Sequence, residues 1–169
     1  MQYITNKGFT LIELLVVIVL LGIVTSFAVL SMGTGSPERK MEEEAKRLHA
    51  LIKLVQEESI IQAKEIAMEI NKNDYSFLEY KDKKWIPLTS KTFRSRSINE
   101  ELEFIVETDT KTKIFKEKEP EKLRLYFLSS GEQSPFKMNI NIKENAHPYY
   151  RLVGLFNGKL NLERVNGYD

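Results

Sequence analysis

The chain has 169 residues, with 25 Lys+Arg against 24 Asp+Glu, two histidines and no cysteine. So even a charge balance gives no global field to steer nucleic acid, and the missing cysteines exclude disulfide stapling. His49 and His147 lie far apart in sequence with no Cys companions, which argues against zinc, and the length suits one membrane helix plus one soluble domain of about 100 to 140 residues.

The first element is an apolar tract from Phe9 to Met32, about 24 residues in which Glu13 is the one charge. As a helix rising about 1.5 Å per residue it reaches roughly 36 Å, enough for a hydrocarbon core of about 30 Å. A carboxylate near the start of such a helix costs about 2.5 to 3.5 kcal/mol if placed at the bilayer centre, so it wants a partner. A secretory signal peptide would explain Lys7 and the small-x-small pattern Ser26-Phe27-Ala28, but its apolar region is usually shorter and carries no acid. A plain membrane anchor explains the length and leaves Glu13 without a reason. Charge alone does not orient the tract, because Lys7 on one side faces Arg39, Lys40, Lys46 and Arg47 on the other.

Gly33-Thr34-Gly35-Ser36-Pro37 breaks the tract and starts a second helix: Ser36 suits the cap, Pro37 the first helical position, and Glu38 the positive end of the helix dipole. Met41, Ala45, Leu48, Ile52, Val55 and Ser59, flanked by Leu51 and Leu54, form an apolar stripe at helical spacing to about Gln62. Glu43 and Arg47 stand at the favourable i, i+4 spacing on the other side.

From Glu65 the period falls to two. Ile66, Met68 and Ile70 alternate with Ala67 and Glu69, and after the turn Lys72-Asn73-Asp74 the run Tyr75 to Tyr80 offers a hairpin partner. Further strands are predicted at Leu102 to Glu107, Leu123 to Leu128, Phe136 to Ile142 and Tyr149 to Phe156. Asn157-Gly158 reads as a two-residue type I′ hairpin. That register sets Phe156 opposite Lys159, Leu155 opposite Leu160 and Val153 opposite Leu162, with Val153, Leu155, Leu160 and Leu162 on one face. A helix, an amphipathic helix and then only strands make an α+β fold in which antiparallel sheet packs on the second helix.

The start Gly8-Phe9-Thr10-Leu11-Ile12-Glu13-Leu14-Leu15 resembles the type IV prepilin and type II secretion pseudopilin families. That resemblance implies a leader of residues 1–8 removed after Gly8 by a prepilin peptidase. It also implies N-methylation of the new terminus on Phe9, a membrane and filament-core helix at 9–32, and a pilin-like periplasmic domain at 33–169 on a single-pass inner-membrane anchor. Glu13, fifth from the new terminus, matches the family's glutamate; a carboxylate and a terminal ammonium leave water together at far less cost than either alone. Many members carry proline where this chain has Leu30, so any melting of the helix would fall to Gly33, Gly35 and Pro37. The runs Glu42 to Leu48, Lys84-Trp85-Ile86-Pro87-Leu88 and Phe127 to Phe136 narrow the resemblance to the H-type minor pseudopilins and their minor-pilin relatives. Implied partners are the peptidase, other major and minor pseudopilins, and an inner-membrane assembly platform.

No catalytic, cofactor or metal motif stands out. Ser129-Ser130-Gly131-Glu132 lacks a paired base and reads as a polar loop, and Arg94 and Arg96 with Lys91 read as a solvated loop without aromatics to stack bases. The function expected is a structural subunit of a type II secretion pseudopilus near its tip. The alternative is a minor pilin of a type IV pilus, in assembly or DNA uptake, which the near-neutral charge disfavours.

Overall fold

The computed structural model describes residues 10–32, 35–88, 90–108, 111–114 and 122–167, apart from the side chains of 26–32, 111–114 and 146–147. The chain divides into two units, residues 1–36 and 37–169.

The first unit holds helix α1, Leu11–Met32. Thr10 starts it: its carbonyl accepts from the Glu13 and Leu14 amides at 3.1 and 3.3 Å, and its hydroxyl accepts from the Glu13 amide at 3.3 Å. Every described side chain of α1 from Leu11 to Thr25 is exposed. The Thr25 hydroxyl folds back onto the Leu21 carbonyl at 2.7 Å, which removes the one free hydroxyl donor of that stretch from an apolar surface. Among the described residues no helix is long and apolar enough to cross a membrane; the described side chains of α1 cover roughly 22 Å of helix. The helix runs past Leu30 without a break, and Gly33 and Thr34 lie outside the described residues.

The second unit begins with α2, Pro37–Ile61, where proline at the first position loses only an amide that the helix leaves unbonded. Met41, Ala45, Leu48, Leu51, Ile52, Val55 and Ser59 are buried as the stripe predicts, whereas Leu54 lies off it, exposed. The predicted Glu43–Arg47 pair does not form. Arg39 takes Glu43 at 3.0 Å, and Arg47 turns instead to the buried Glu44. At the far end the Lys64 amide donates to the Ser59 carbonyl at 3.0 Å and the Ala63 amide to Ile60 at 3.3 Å, a Schellman closure with Ala63 at φ 50° where glycine is usual.

Ten strands follow, all antiparallel. One sheet has the order β3-β2-β1-β7, built of β1 (Ile66–Ile70), β2 (Asp74–Lys81), β3 (Lys84–Pro87) and β7 (Leu123–Phe127), with β4 (Arg96–Ser97) pairing the start of β2. The other has the order β10-β9-β8-β5-β6, from β5 (Leu102–Thr108), β6 (Lys111–Ile114), β8 (Phe136–Ile142), β9 (Asn145–Gly154) and β10 (Leu160–Val165). Together with α2 they enclose one core that runs from Met41, Leu48 and Ile52 through Met68, Phe77 and Phe127 to Phe104, Met138 and Leu152. The architecture is α+β.

Four expectations need correction. The strands β3, β4 and β6 were not predicted, and β9 begins at Asn145, ahead of the expected Tyr149. The β2–β3 turn is Asp82-Lys83, both at positive φ (51° and 61°), a type I′ turn made without glycine. The strand β1 is buried along its whole length and not on one face only, because it lies between β2 and β7. Ala67 sits between Leu78 and Tyr126, and Glu69 between Ser76 and Arg124. The last hairpin is shifted by one residue, with Leu160 opposite Gly154 and Leu162 opposite Leu152. Its turn closes from the Gly158 amide to the Leu155 carbonyl at 3.0 Å, with Gly158 alone at positive φ, followed by the Leu155 amide to the Lys159 carbonyl at 2.9 Å. That is a three-residue loop with a glycine bulge. Tyr150, Leu152 and Gly154 therefore face the core with Leu160 and Leu162, while Leu155 is exposed.

The register is held at Gly154, where a Cβ would stand 2.2 Å from a Phe136 ring carbon and 2.6 Å from the Gln133 amide nitrogen. Gly154→Ala should therefore lower the melting temperature by displacing a buried ring. Ala63→Gly should raise stability by about 1 kcal/mol, since a side chain in the left-handed region costs roughly 1 to 2 kcal/mol; thermal and urea melts check both signs.

Candidate assembly site

The sequence points to the start of α1. Gly8 and Phe9, the expected cleavage pair, lie outside the described residues. Glu13 occupies the third helical position, where a carboxylate meets the positive end of the helix dipole. Its side chain is exposed and has no protein partner among the described residues. Sequence reasoning missed the role of Thr10, although the spacing Thr10-x-x-Glu13 is that of a capping box. Thr10 fixes where the helix begins, so Glu13 is held one turn from the chain's start and not at a sliding distance from it. What this arrangement offers chemically is one carboxylate at the head of an apolar rod.

The second unit disposes of its own charges internally. The Glu69 carboxylate, nearly buried on β1, accepts from Lys122 at 2.9 Å and from Arg124 at 2.8 and 2.9 Å. Burial pushes its pKa up, but the hydrogen bonds from Lys122 and Arg124 and their charges outweigh that and hold it below the usual carboxylate range. Glu44, on the buried side of α2, accepts from the Tyr75 hydroxyl at 2.9 Å and from Arg47. Burial and the Glu44 carboxylate together push the Tyr75 phenol well above its ordinary value. Both clusters join α2 or β1 to its neighbours and neither opens a reactive group to solvent.

The other candidates do not converge. Ser130 bonds only its near neighbour Glu132, within the turn from Leu128 to Gly131. Arg96 donates to the Thr92 carbonyl at 3.1 Å inside its own loop, and Arg94 is exposed. A cavity of about 520 Å³ between Asn73, Asn99, Glu100, Glu103 and Lys143 mixes both signs of charge. Among the described residues no group of His, Cys, Asp or Glu is placed to hold a metal ion.

Residues 5–29 match the family model of the prokaryotic N-terminal methylation motif. The chain is similar to the type II secretion system protein H of Pseudomonas aeruginosa, 32% identical over 95% of this chain and 95% of that protein. It is similar to the protein of the same name from Aeromonas hydrophila at 28% identity, over 88% and 87%. Two solved structures of the minor pseudopilin EpsH from the Vibrio cholerae type 2 secretion system match the fold. One does so with a TM-score of 0.60 at 25% identity, covering 74% of this chain and 97% of that one. The other has a TM-score of 0.65 at 23% identity, covering 79% and 100%.

The buried Glu69 makes the domain acid-sensitive in a definable direction. A carboxyl whose folded pKa is depressed adds stability that is complete above its unfolded value and disappears as pH falls through the folded one. Melting temperatures measured downward from pH 6 should fall more steeply below about pH 4.5, the ordinary value, for the parent than for Glu69→Gln. The variant should be the less stable of the two at pH 7, and the gap between them should close in acid; parallel curves would show that Glu69 adds nothing.

Proposed function

This chain belongs to the family of type II secretion system protein H, the minor pseudopilins, and from that premise we propose that it enters the pseudopilus near its tip as a processed, membrane-anchored subunit. It is a structural subunit of the secretion machine, and its work is assembly and not catalysis. The observation that carries the reading is the head of α1: an apolar helix whose described side chains are all exposed, with Glu13 as its one charge. A helix with no buried face in its own chain is made to be covered by something else. Lipid covers it before assembly and neighbouring helices afterwards.

In this reading the tract 9–32 crosses the inner membrane and residues 33–169 form the periplasmic domain. The peptidase cuts after Gly8, the new amino terminus on Phe9 is methylated, and the Glu13 carboxylate meets that terminus on the adjoining subunit. Thr10 supports the arrangement by setting the helix start, so that ammonium and carboxylate sit at fixed heights. Major and minor pseudopilins and the assembly platform are the partners. A type IV pilus role has no basic face on the domain to favour it, since its Lys122 and Arg124 are spent on Glu69 and its Arg96 on its own loop.

Gly8→Val should block processing, seen as retention of the larger form on a gel; normal trimming would return the tract to a signal-peptide or plain-anchor role. Glu13→Leu separates pairing from anchoring. Losing one member of an ion pair in low dielectric costs about 3 to 5 kcal/mol, whereas an apolar residue in a mere anchor improves insertion. The variant should insert and be cleaved, yet fail to cross-link to its neighbours through α1 and lower secretion. Undiminished assembly of Glu13→Leu would end the registering role.

A further inference from the structure

The two ends of the second unit differ in chemistry. At the end where α2 begins, Lys40 pairs with Glu101 at 2.9 Å, the Lys143 amide bonds the Glu101 carbonyl, and Asn73, Asn99, Glu100 and Glu103 line the open cavity. At the end where α2 finishes, the exposed groups are apolar. Ile60 and Ile61 close the helix, Ile61 with 79% of its surface free. Tyr80, Ile86 and Tyr126 stand beside them on the first sheet, and Leu155 and Phe156 form the tip of the β9–β10 hairpin. Of the eight large apolar side chains exposed outside α1 among the described residues, these seven gather at one end and only Leu54 stands apart.

Hydrogen bonds hold the end rigid. The Ser59 hydroxyl reaches the Leu128 carbonyl at 3.3 Å, and Gln56 donates to Gln133 at 2.6 Å and to the Gly158 carbonyl at 2.9 Å. The Gln133 amide nitrogens donate to Leu155 and Phe156 carbonyls at 2.9 and 3.0 Å. Trp85 packs between Tyr80 and Tyr126, ring centres 5.1 and 5.5 Å away. Phe156 at an exposed hairpin tip has no role in the core, with 57% of its surface in water. Seven such side chains about half exposed amount to on the order of 600 Å² of apolar surface, more than a monomer ordinarily shows and close to the roughly 800 Å² that one partner gives to a stable interface.

We infer that this apolar cap is the docking face for a different subunit of the same filament, and that copies of this chain do not stack on one another. This rests on the proposed function. Head-to-tail stacking of two copies would press the cap onto the charged end, desolvating Lys40, Glu100 and Glu103 against side chains that cannot pair with them. Cap-to-cap contact would put the two α2 starts at opposite ends of a body about 75 Å long, at about 1.5 Å per residue. With a linker from Met32 to Pro37 that spans at most about 18 Å, the two α1 helices could not then lie the roughly 10 Å apart that helix packing needs. The occupant is therefore a protein whose underside is apolar and whose own anchor lies in the same bundle.

The test places a photo-crosslinking residue at Ile61, at Phe156, at Asn99 on the opposite end, and near Glu13 on α1, in the full chain co-expressed with the other pseudopilins in native membranes. Adducts identified by mass spectrometry should join Ile61 and Phe156 to one other pseudopilin, with no adduct between two copies of this chain. The double variant Ile61→Glu, Phe156→Glu should keep its fold by circular dichroism and its α1 adducts, lose the cap adduct, and reduce secretion tenfold or more, the loss expected of a central contact. Self-adducts at the cap, adducts only from Asn99, adducts to a secreted protein, or full secretion by the double variant would each overturn the inference. If the α1 position also fails to cross-link to any pseudopilin, the proposed function itself falls.

Discussion

Burial of one stripe of α2 is the constraint on which the domain depends. Met41, Ala45, Leu48, Ile52 and Val55 are all at most 1% exposed, and strands from both sheets end against them. The stripe explains why the two sheets meet at all: each alone would leave an apolar face in water, and the helix gives both a shared surface. Without disulfides or a metal among the described residues, this packing is what keeps the sheets in register. The two buried carboxylates refine it. Glu44 and Glu69 each accept from partners on another stretch of chain, Tyr75 from β2 and Lys122 with Arg124 from the start of β7, so a slipped strand would strand a charge in the interior.

Much of this was legible because it follows from periodicity. The break at Gly33 to Pro37, the α2 stripe and the strand Phe136–Ile142 come directly from the spacing of apolar residues. What was not legible depended on partners remote in sequence. Asn157-Gly158 is the strongest local signal for a type I′ turn, yet the register obeys Gly154, which must face Phe136 because no side chain fits there. One residue of offset then moves Leu155 out and Leu152 in. The Asp82-Lys83 turn was hidden for the opposite reason, since no glycine marks it and the pairing of Lys81 with Lys84 supplies the closure. In β1 the alternation of Ile66, Met68 and Ile70 is real, but Ala67 and Glu69 are buried by residues a sequence window cannot see.

The candidate site divides the same way. Gly8, Phe9 and Glu13 stood out because eight consecutive residues matched a known pattern, and Thr10 could have been added from its spacing to Glu13. The apolar cap could not. Its members come from α2, β2, β3, β7 and the β9–β10 turn, and each alone is an unremarked exposed side chain. Only the fold shows that they share an end, and only the opposite end, with its Lys40–Glu101 pair, shows that the gathering is not general to the surface.

Taken together these surfaces say how such a subunit finds its place. A near-neutral domain whose Glu69, Glu44 and Glu101 are already paired has little long-range field, so association is not accelerated by electrostatic steering. Anchoring in one membrane removes the need, because confinement raises the effective concentration of partners without any new contact. Selectivity then falls to short-range features: a single carboxylate in α1 that sets height, and an apolar cap whose shape and polarity suit a different chain and not another copy. A subunit built so cannot polymerise by itself, and that is the property a minor component of a filament requires.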